Sequence, residues 1–356
     1  MRRHFGKIGV LIGRKQEVHV SQRARVGVVG AGLHGEMHLQ AYSSSPRCDL
    51  TCICDLNADR ARQMAEKYGC AWTTDIDELA TMVDGASIAT PDFAHLGPAL
   101  ALIGQGKHLL MEKPLTTDVA EGEQIVAAAR DAGVKLMVNF SQRWNPKFLA
   151  ARAAISDGRM GEFVMGYSRL SNTISVPTGM LAWATQSGPE WFLFPHTIDV
   201  VRWIVGQEIT RVYATGRKGT LTSLGIDAYD AIQTIVHFDN GAFVTFETCW
   251  IIPNSWPSVV DSTMTLFGTD GRMEIDQNDQ GITLASDRYE TGAPYGKYDR
   301  YGSPQGFYLE GIWHFVDCLV DDRAPVVTGD DGLAVTRVIT AIRESVASGK
   351  PVDIAG

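Results

Sequence analysis

Residues 25–35 read R-V-G-V-V-G-A-G-L-H-G, and this stretch decides the fold class. A short apolar run meets Gly30, and the residues from Leu33 to Tyr42 then place apolar side chains at helical spacing, so the reading is strand, tight turn, helix. Downstream, D-L-T-C-I-C-D (49–55) is a buried strand, and residues 57–69 form a helix with Asn57 as its cap and Gly69 as its stop. The rhythm repeats as a strand at 86–89 with a helix over 93–103, a strand at 108–111 with a helix over 118–132, and a strand at 135–138. Strands that alternate with helices predict a parallel, doubly wound sheet.

The rhythm stops after Phe140, where S-Q-R-W-N-P interrupts and a short helix over 146–157 leads away. Strands follow at 161–171, 210–215, 231–238, 242–250, 262–267 and 272–275, and the Asp239-Asn240-Gly241 turn makes 231–250 an antiparallel hairpin. Helices at 192–205, 306–320 and 331–348 complete this half. The expected organisation is an extension at 1–24, an α/β domain with a doubly wound parallel sheet at 25–141, and an α+β domain with a large open sheet at 142–356. Helices on one face leave the other sheet face to be covered by self-association, as a homo-dimer or homo-tetramer.

The bulk composition agrees with two domains: the chain has 356 residues, 45% of them apolar. Its 41 acidic against 32 basic residues give a net charge of −9, which argues against a nucleic-acid partner. Basic residues concentrate only near the start, at Arg2, Arg3, Lys7, Arg14, Lys15 and Arg23, and the apolar run at 8–12 is too short for a signal peptide. This segment reads as a disordered arm, the product of an upstream start codon, or a strap on a neighbouring subunit. No stretch approaches the ~20 apolar residues that span a bilayer, so no membrane partner is expected. Six cysteines without C-x-x-C spacing read as reduced core residues of a cytoplasmic protein, and no metal site is expected because Cys52 and Cys54 lack a second pair of ligands.

Gly30, Gly32 and Gly35 fit G-x-G-x-x-G in its proper strand-to-helix setting. The first permits the tight turn, the second lets the backbone approach a pyrophosphate, and the third packs helix on strand, while the free amides at Leu33 and His34 face the diphosphate. Asp55 ends the second strand twenty residues after Gly35, where a carboxylate accepts hydrogen bonds from ribose hydroxyls and repels a 2′-phosphate. NAD is therefore expected over NADP, with Arg60 or Arg62 able to blur the preference. Thr90-Pro91-Asp92 follows the fourth strand with His95 one turn into the next helix, and Glu112-Lys113-Pro114 follows the fifth. Thr90, Pro91, His95, Glu112 and Lys113 thus stand at carboxyl ends of parallel strands, where such sheets bind ligands. Lys113, partly buried and beside a positively charged nicotinamide, is suited to take a proton from a substrate hydroxyl.

With these residues in place the sequence resembles the Gfo/Idh/MocA family of oxidoreductases. The resemblance runs from about Arg25 to the end and rests on V-G-V-V-G-A-G, Thr90-Pro91 with His95, E-K-P-L, Gln142-Arg143-Trp144, P-H-T-I-D-V-V-R-W and D-D-G-L-A-V-T-R-V-I-T-A-I-R-E-S. It implies a Rossmann domain joined to a mostly antiparallel open sheet, oligomerisation through that sheet, and oxidation or reduction of sugars, polyols and their derivatives. It also implies that His196 and Asp199 belong to the substrate site, with His196 sharing proton transfer with Lys113. On the residues alone the two lie one helical turn apart, and a histidine serving its own helix is the plain alternative.

Two departures stand out. Many members place an aspartate where this chain has Phe192, and a Trp-Arg pair where it has Trp183-Ala184. Either Glu190 or another group replaces the carboxylate, or the substrate is less polar, or the chemistry is reduced. Trp183, Trp191, Trp250 and Trp256 fall near segments expected to wall the cleft, where a ring stacks on a pyranose face, although packing explains most tryptophans. The expected activity is hydride transfer between a secondary alcohol or hemiacetal carbon of a sugar, cyclitol or related polyol and NAD, with Lys113 as general acid/base and His196 assisting. The rival readings are an NAD-dependent glycosidase working by transient oxidation and elimination, and a non-catalytic NAD- or metabolite-sensing protein.

Overall fold

The computed structural model describes residues 23–287, 289–291 and 295–354, so the extension read at 1–24 lies, but for its last two residues, outside the described residues. The first half alternates β1 (Ala24–Val29), α1 (Leu33–Ser44), β2 (Cys48–Cys54), α2 (Ala58–Tyr68), β3 (Ala71–Thr73), α3 (Ile76–Met82), β4 (Gly85–Ile88), α4 (Leu96–Ile103), β5 (His108–Met111), α5 (Val119–Asp131) and β6 (Leu136–Val138). Its strands run parallel in the order β3-β2-β1-β4-β5-β6, the Rossmann arrangement. The order reverses between β1 and β4, and that reversal opens a crevice beyond the carboxyl ends of the strands.

Side-chain caps fix the helix starts. Asn57 accepts from the Arg60 amide, Asp75 from Asp77 and Asp118 from Glu121, and Gly69 closes α2 in the left-handed region. Gly30 takes φ +95, and a Cβ there would lie 2.7 Å from the Ala89 carbonyl oxygen. A Cβ on Gly35 would lie 1.8 Å from the Gly30 oxygen, so α1 can sit on its turn only with glycine at that point.

The expected helix over 93–103 is divided. A 3-10 turn covers Asp92–Ala94 and α4 begins at Leu96, so His95 caps the helix instead of standing one turn inside it. Pro98 has no amide to donate and is tolerated only in a first turn, which places the start. The same constraint at Pro195 divides the expected helix over 192–205.

The second half carries α6 (Pro146–Ser156), β7 (Phe163–Asn172), α7 (Pro189–Phe192), α8 (Phe194–Val205), β8 (Ile209–Arg217), α9 (Thr220–Ser223), β9 (Ala231–Phe238), β10 (Phe243–Cys249), β11 (Val260–Gly268) and β12 (Arg272–Asp276). Two small hairpins follow, β13 (Thr283–Ala285) with β14 (Tyr289–Thr291) and β15 (Tyr298–Arg300) with β16 (Ser303–Gln305), before α10 (Phe307–Val320), α11 (Gly329–Ser348) and β17 (Val352–Asp353). The large sheet has the order β12-β11-β7-β10-β9-β8-β17 and is antiparallel except where β7 and β10 pair. The hairpin of β9 and β10 turns on Gly241 at φ +87, as its sequence requires.

Helices α8 and α11 pack on one face of this sheet. On the opposite face Tyr213, Ile235, Thr245 and Tyr167 form one cross-strand row with Phe243 beside it, and the four larger apolar side chains of this set are exposed. The last helices join the two sheets. On α10, Trp313 donates to the Ala41 carbonyl of α1 at 2.9 Å and Asp317 and Asp321 pair with Arg47; on α11, Arg337 meets Glu123 at 2.8 Å. Among the described residues no helix is long and apolar enough to cross a membrane.

Candidate active site

A cleft of about 900 Å³ lies at the carboxyl ends of β1, β4 and β5. Its floor begins with the glycine turn. Gly30, Gly32, Leu33 and His34 line it, and Gly32 caps α1 with no side-chain bond to the free amides of the first turn. A Cβ on Gly32 would meet nothing within 4 Å, so the cradle is open to whatever the cleft receives. Uncapped amides at a helix start beside open space fit a diphosphate. Asp55 lines the adjoining wall, its carboxylate held by the Ala31 amide at 2.7 Å and the Asn57 amide at 2.8 Å. Arg60 shares that wall. Gly35 is absent from the lining and serves packing alone, the role its spacing assigned to it.

Thr90 and Pro91 also line the cleft, but His95 does not. Its ring is buried between the carbonyls of Leu115 and Thr90, each 3.1 Å away, so it ties the loop after β4 to the loop after β5. The expectation of a cofactor contact at His95 is corrected on this point. As a helix cap its side chain turns inward, toward backbone that needs a partner.

Lys113 is buried, and its Nζ reaches the cleft wall, donating to the Phe192 carbonyl at 3.1 Å and standing 4.2 Å from the centroid of the Phe192 ring. Burial lowers its pKa from the ordinary lysine value, opposed by the charges of Glu112 and Asp92. Glu112 also lines the cleft, yet its carboxylate is occupied: Oε1 accepts from His38 Nε2 at 2.8 Å and Asn139 Nδ2 at 2.7 Å. Burial would raise its pKa, but the His38 hydrogen bond and the neighbouring positive charges outweigh that and hold it well below the usual carboxylate range. A carboxylate only accepts, so His38 Nε2 carries a proton, and in the neutral ring Nδ1 accepts from Ser87 Oγ at 2.8 Å. Glu112 is therefore a charged anchor behind the lysine.

His196 stands in the first turn of α8 and does not line the large cleft. It borders a small internal cavity with Ser168, Gln142 and Gln277, and its buried Nδ1 has no hydrogen-bond partner. Burial, and then the charge of Lys113, push its pKa well below the ordinary histidine value, so the ring is neutral at pH 7. Asp199, expected to join it at the substrate, is fully buried and gripped by Arg143 at 2.6 and 2.9 Å. Arg143 also bonds Asp331 at 2.8 Å. Helix α8 is buried on nearly every side, so one turn beyond His196 leads into protein and not toward the cleft.

Glu190 does not replace the carboxylate missing at Phe192. It is buried on α7 outside the cleft lining, 3.4 Å from Arg343 Nε, and burial raises its pKa. Trp183 and Trp191 line the cleft with Met180, Leu181 and Phe192. Trp250 is fully buried behind the Phe192 ring, centroids 5.8 Å apart, and Trp256 is exposed outside the cleft. Sequence reasoning assigned no role to Asp92, which lines the cleft from the loop after β4, nor to His38 and Asn139, which hold Glu112. Position at a strand end was the one available signal for Asp92; the other two had none. All six cysteines are free.

Residues 24–140 match the family described as oxidoreductase family, NAD-binding Rossmann fold, and residues 148–274 match the GFO/IDH/MocA C-terminal domain. The chain is 28% identical over 340 residues to the oxidoreductase YrbE of Bacillus subtilis, covering 92% of this chain and 96% of the relative. It is 28% identical over 344 residues to inositol 2-dehydrogenase of Rhizobium meliloti, covering 93% and 99%. Among solved structures, GenD2 from gentamicin A biosynthesis in complex with NAD superposes with a TM-score of 0.83 at 25% identity, covering 97% of this chain and all of that one.

The buried ion pair carries a prediction. Asp199→Ala leaves Arg143 short of its main partner and should cost about 3 kcal/mol in denaturant unfolding, the usual penalty for opening a buried pair. NAD affinity of the folded protein should be unchanged. Full stability in the variant would show that the pair does not hold α8 in place.

Proposed function

The chain belongs to the Gfo/Idh/MocA oxidoreductase family and is an NAD-dependent oxidoreductase, and from that premise we propose that it moves hydride between a secondary alcohol or hemiacetal carbon of a sugar, cyclitol or related polyol and the nicotinamide. The observation that carries this reading is the Lys113 amine, drawn out of water at the rim of the cleft that begins with the glycine turn. The amides of Leu33 and His34 would receive the diphosphate, Asp55 the adenosine ribose hydroxyls, and Thr90 and Pro91 would border the ring. When bound, NAD supplies the hydride acceptor.

In the oxidative direction Lys113 accepts the hydroxyl proton as the carbon gives up its hydride, and in reduction it returns that proton. Burial favours the neutral amine that the oxidative step needs. His196, neutral and with Nδ1 unpartnered, assists from behind Lys113. Trp183, Trp191 and Phe192 suit a substrate with an exposed C–H face, as a sugar or cyclitol ring has. The inositol 2-dehydrogenase relative supports the same class. The exposed row at Tyr213, Ile235 and Tyr167 supports self-association as a homo-dimer or homo-tetramer through the open sheet.

Lys113→Met should bind NAD nearly normally and lose roughly 10²- to 10⁴-fold in kcat across a panel of sugars and polyols, followed as NADH formation. An unchanged kcat would remove Lys113 from the mechanism. Wild-type oxidation should climb with pH and level off below 10.5, where an ordinary lysine loses its proton, because burial lowers the pKa of the amine. Asp55→Ser should narrow the preference for NAD over NADP, read as the ratio of kcat/KM values; a constant ratio would show that the carboxylate does not select. Sedimentation should find a dimer or tetramer that Ile235→Glu with Tyr167→Glu breaks apart, and a wild-type monomer would sink the sheet assignment.

A further inference from the structure

Asp92 is a carboxyl group with one oxygen bound and one left over. It opens the 3-10 turn after β4, lines the cleft and is only 4% exposed. Oδ2 accepts a hydrogen bond from the Ser187 hydroxyl at 2.5 Å, while Oδ1 is buried without a hydrogen-bond partner among the described residues. A buried oxygen left unpaired is destabilising, so its retention in a cleft wall points to a partner that arrives with the substrate. Lys113 lines the same cleft. Among the described residues the one hydrogen bond of its ammonium goes to the Phe192 carbonyl, and an ammonium has three protons to donate.

The rest of the neighbourhood excludes other candidates for this partnership. Glu112 spends Oε1 on His38 and Asn139 and Oε2 on the Lys113 backbone amide at 3.2 Å, and Glu190 lies outside the cleft lining against Arg343. Phe192 offers an aromatic face and a carbonyl but no charge. The titratable groups facing Asp92 are Lys113 from the loop after β5, His95 from its own turn and Glu190 from α7. Of these three only Lys113 lines the cleft with it.

We propose that Asp92 is the carboxylate partner of Lys113: it faces the amine across the substrate space, steadies its protonated form, and leaves Oδ1 free to accept a hydroxyl of the substrate. It works as a positioning residue through Lys113, and this assignment rests on the reading of Lys113 as acid/base. Ser187 holds the carboxylate in place and ties the 181–188 loop to the strand end. Two observations on charge agree with the geometry. Burial raises the pKa of Asp92, with Ser187, His95, Lys113 and the Phe93 backbone amide pulling it back, and Asp92 is among the charges that oppose the burial-driven fall at Lys113.

The sign of the effect follows. A facing carboxylate stabilises ammonium over amine, so its removal lowers the lysine pKa further. The test is competitive labelling of lysines with acetic anhydride in the free protein across pH, with Lys113 followed by mass spectrometry. Asp92→Asn should move the Lys113 titration down by roughly one pH unit, the size expected for one opposite charge nearby. Asp92→Glu should restore it in part, and the rising limb of kcat/KM for oxidation should shift in the same direction. If the Asn variant does not fold, judged by NAD binding and thermal melting, Asp92→Ser makes the same comparison.

An unmoved Lys113 titration in the folded variant would overturn the partnership, as would a fall in rate at all pH values with no shift of the limb. The outcomes separate from those for Lys113 itself. Turnover lost in Lys113→Met with labelling unmoved in Asp92→Asn overturns this assignment alone, whereas turnover kept in Lys113→Met overturns the acid/base reading and this assignment with it.

Discussion

An amine held out of water is the constraint to which the rest of the site answers. Lys113 sits at the end of a buried parallel strand, and burial there works against its charge. The surroundings do not cancel that effect. They hold the amine in place with one carbonyl and an aromatic face at Phe192, and they keep the adjacent carboxylate, Glu112, engaged with His38 and Asn139 at one oxygen and the Lys113 backbone amide at the other. A lysine in solution is protonated at pH 7 and useless as a base; one in this setting is drawn toward the neutral form.

The fold supplies the place for that amine. Reversal of strand order between β1 and β4 leaves a crevice, the glycine turn gives it a floor of free amides, and α7 with the segment before it closes it from the second half of the chain. Its two walls come from different halves of the chain, so the geometry between them must be held elsewhere. Helices α10 and α11 do this by packing against the first half, and the Arg143 cluster with Asp199 and Asp331 does it beneath α8. The aspartate of the H-x-x-D segment thus serves the frame, while the histidine one turn before it borders a separate small cavity.

Phe192 stands where the family resemblance implied a carboxylate. The ring packs with Trp183 at 6.2 Å and Trp250 at 5.8 Å, making an apolar wall next to Lys113. Such a wall favours a substrate face of C–H bonds over one of hydroxyls. The loop after β4 brings a polar group, Asp92, to the same cleft.

Local pattern was enough for five of the six strands of the first sheet, for the hairpin at Gly241, and for the glycine turn and Asp55 in the cleft lining. Turn glycines, caps and strand-end residues act over a few positions, and their spacing is visible in one dimension. Boundaries set by Pro98 and Pro195 were misplaced by periodicity alone, because a proline forbids an amide without disturbing the apolar pattern. The three-residue β3 was too short to carry a period. What only the tertiary structure decided is which polar groups spend their bonds on the protein. Asp199 meets Arg143 across 56 residues, Glu112 meets His38 across 74, and Asp92 meets Ser187 across 95. Whether a buried carboxylate is an anchor, a strut or a free hand depends on the partner that folding brings to it, and no spacing along the chain records that choice.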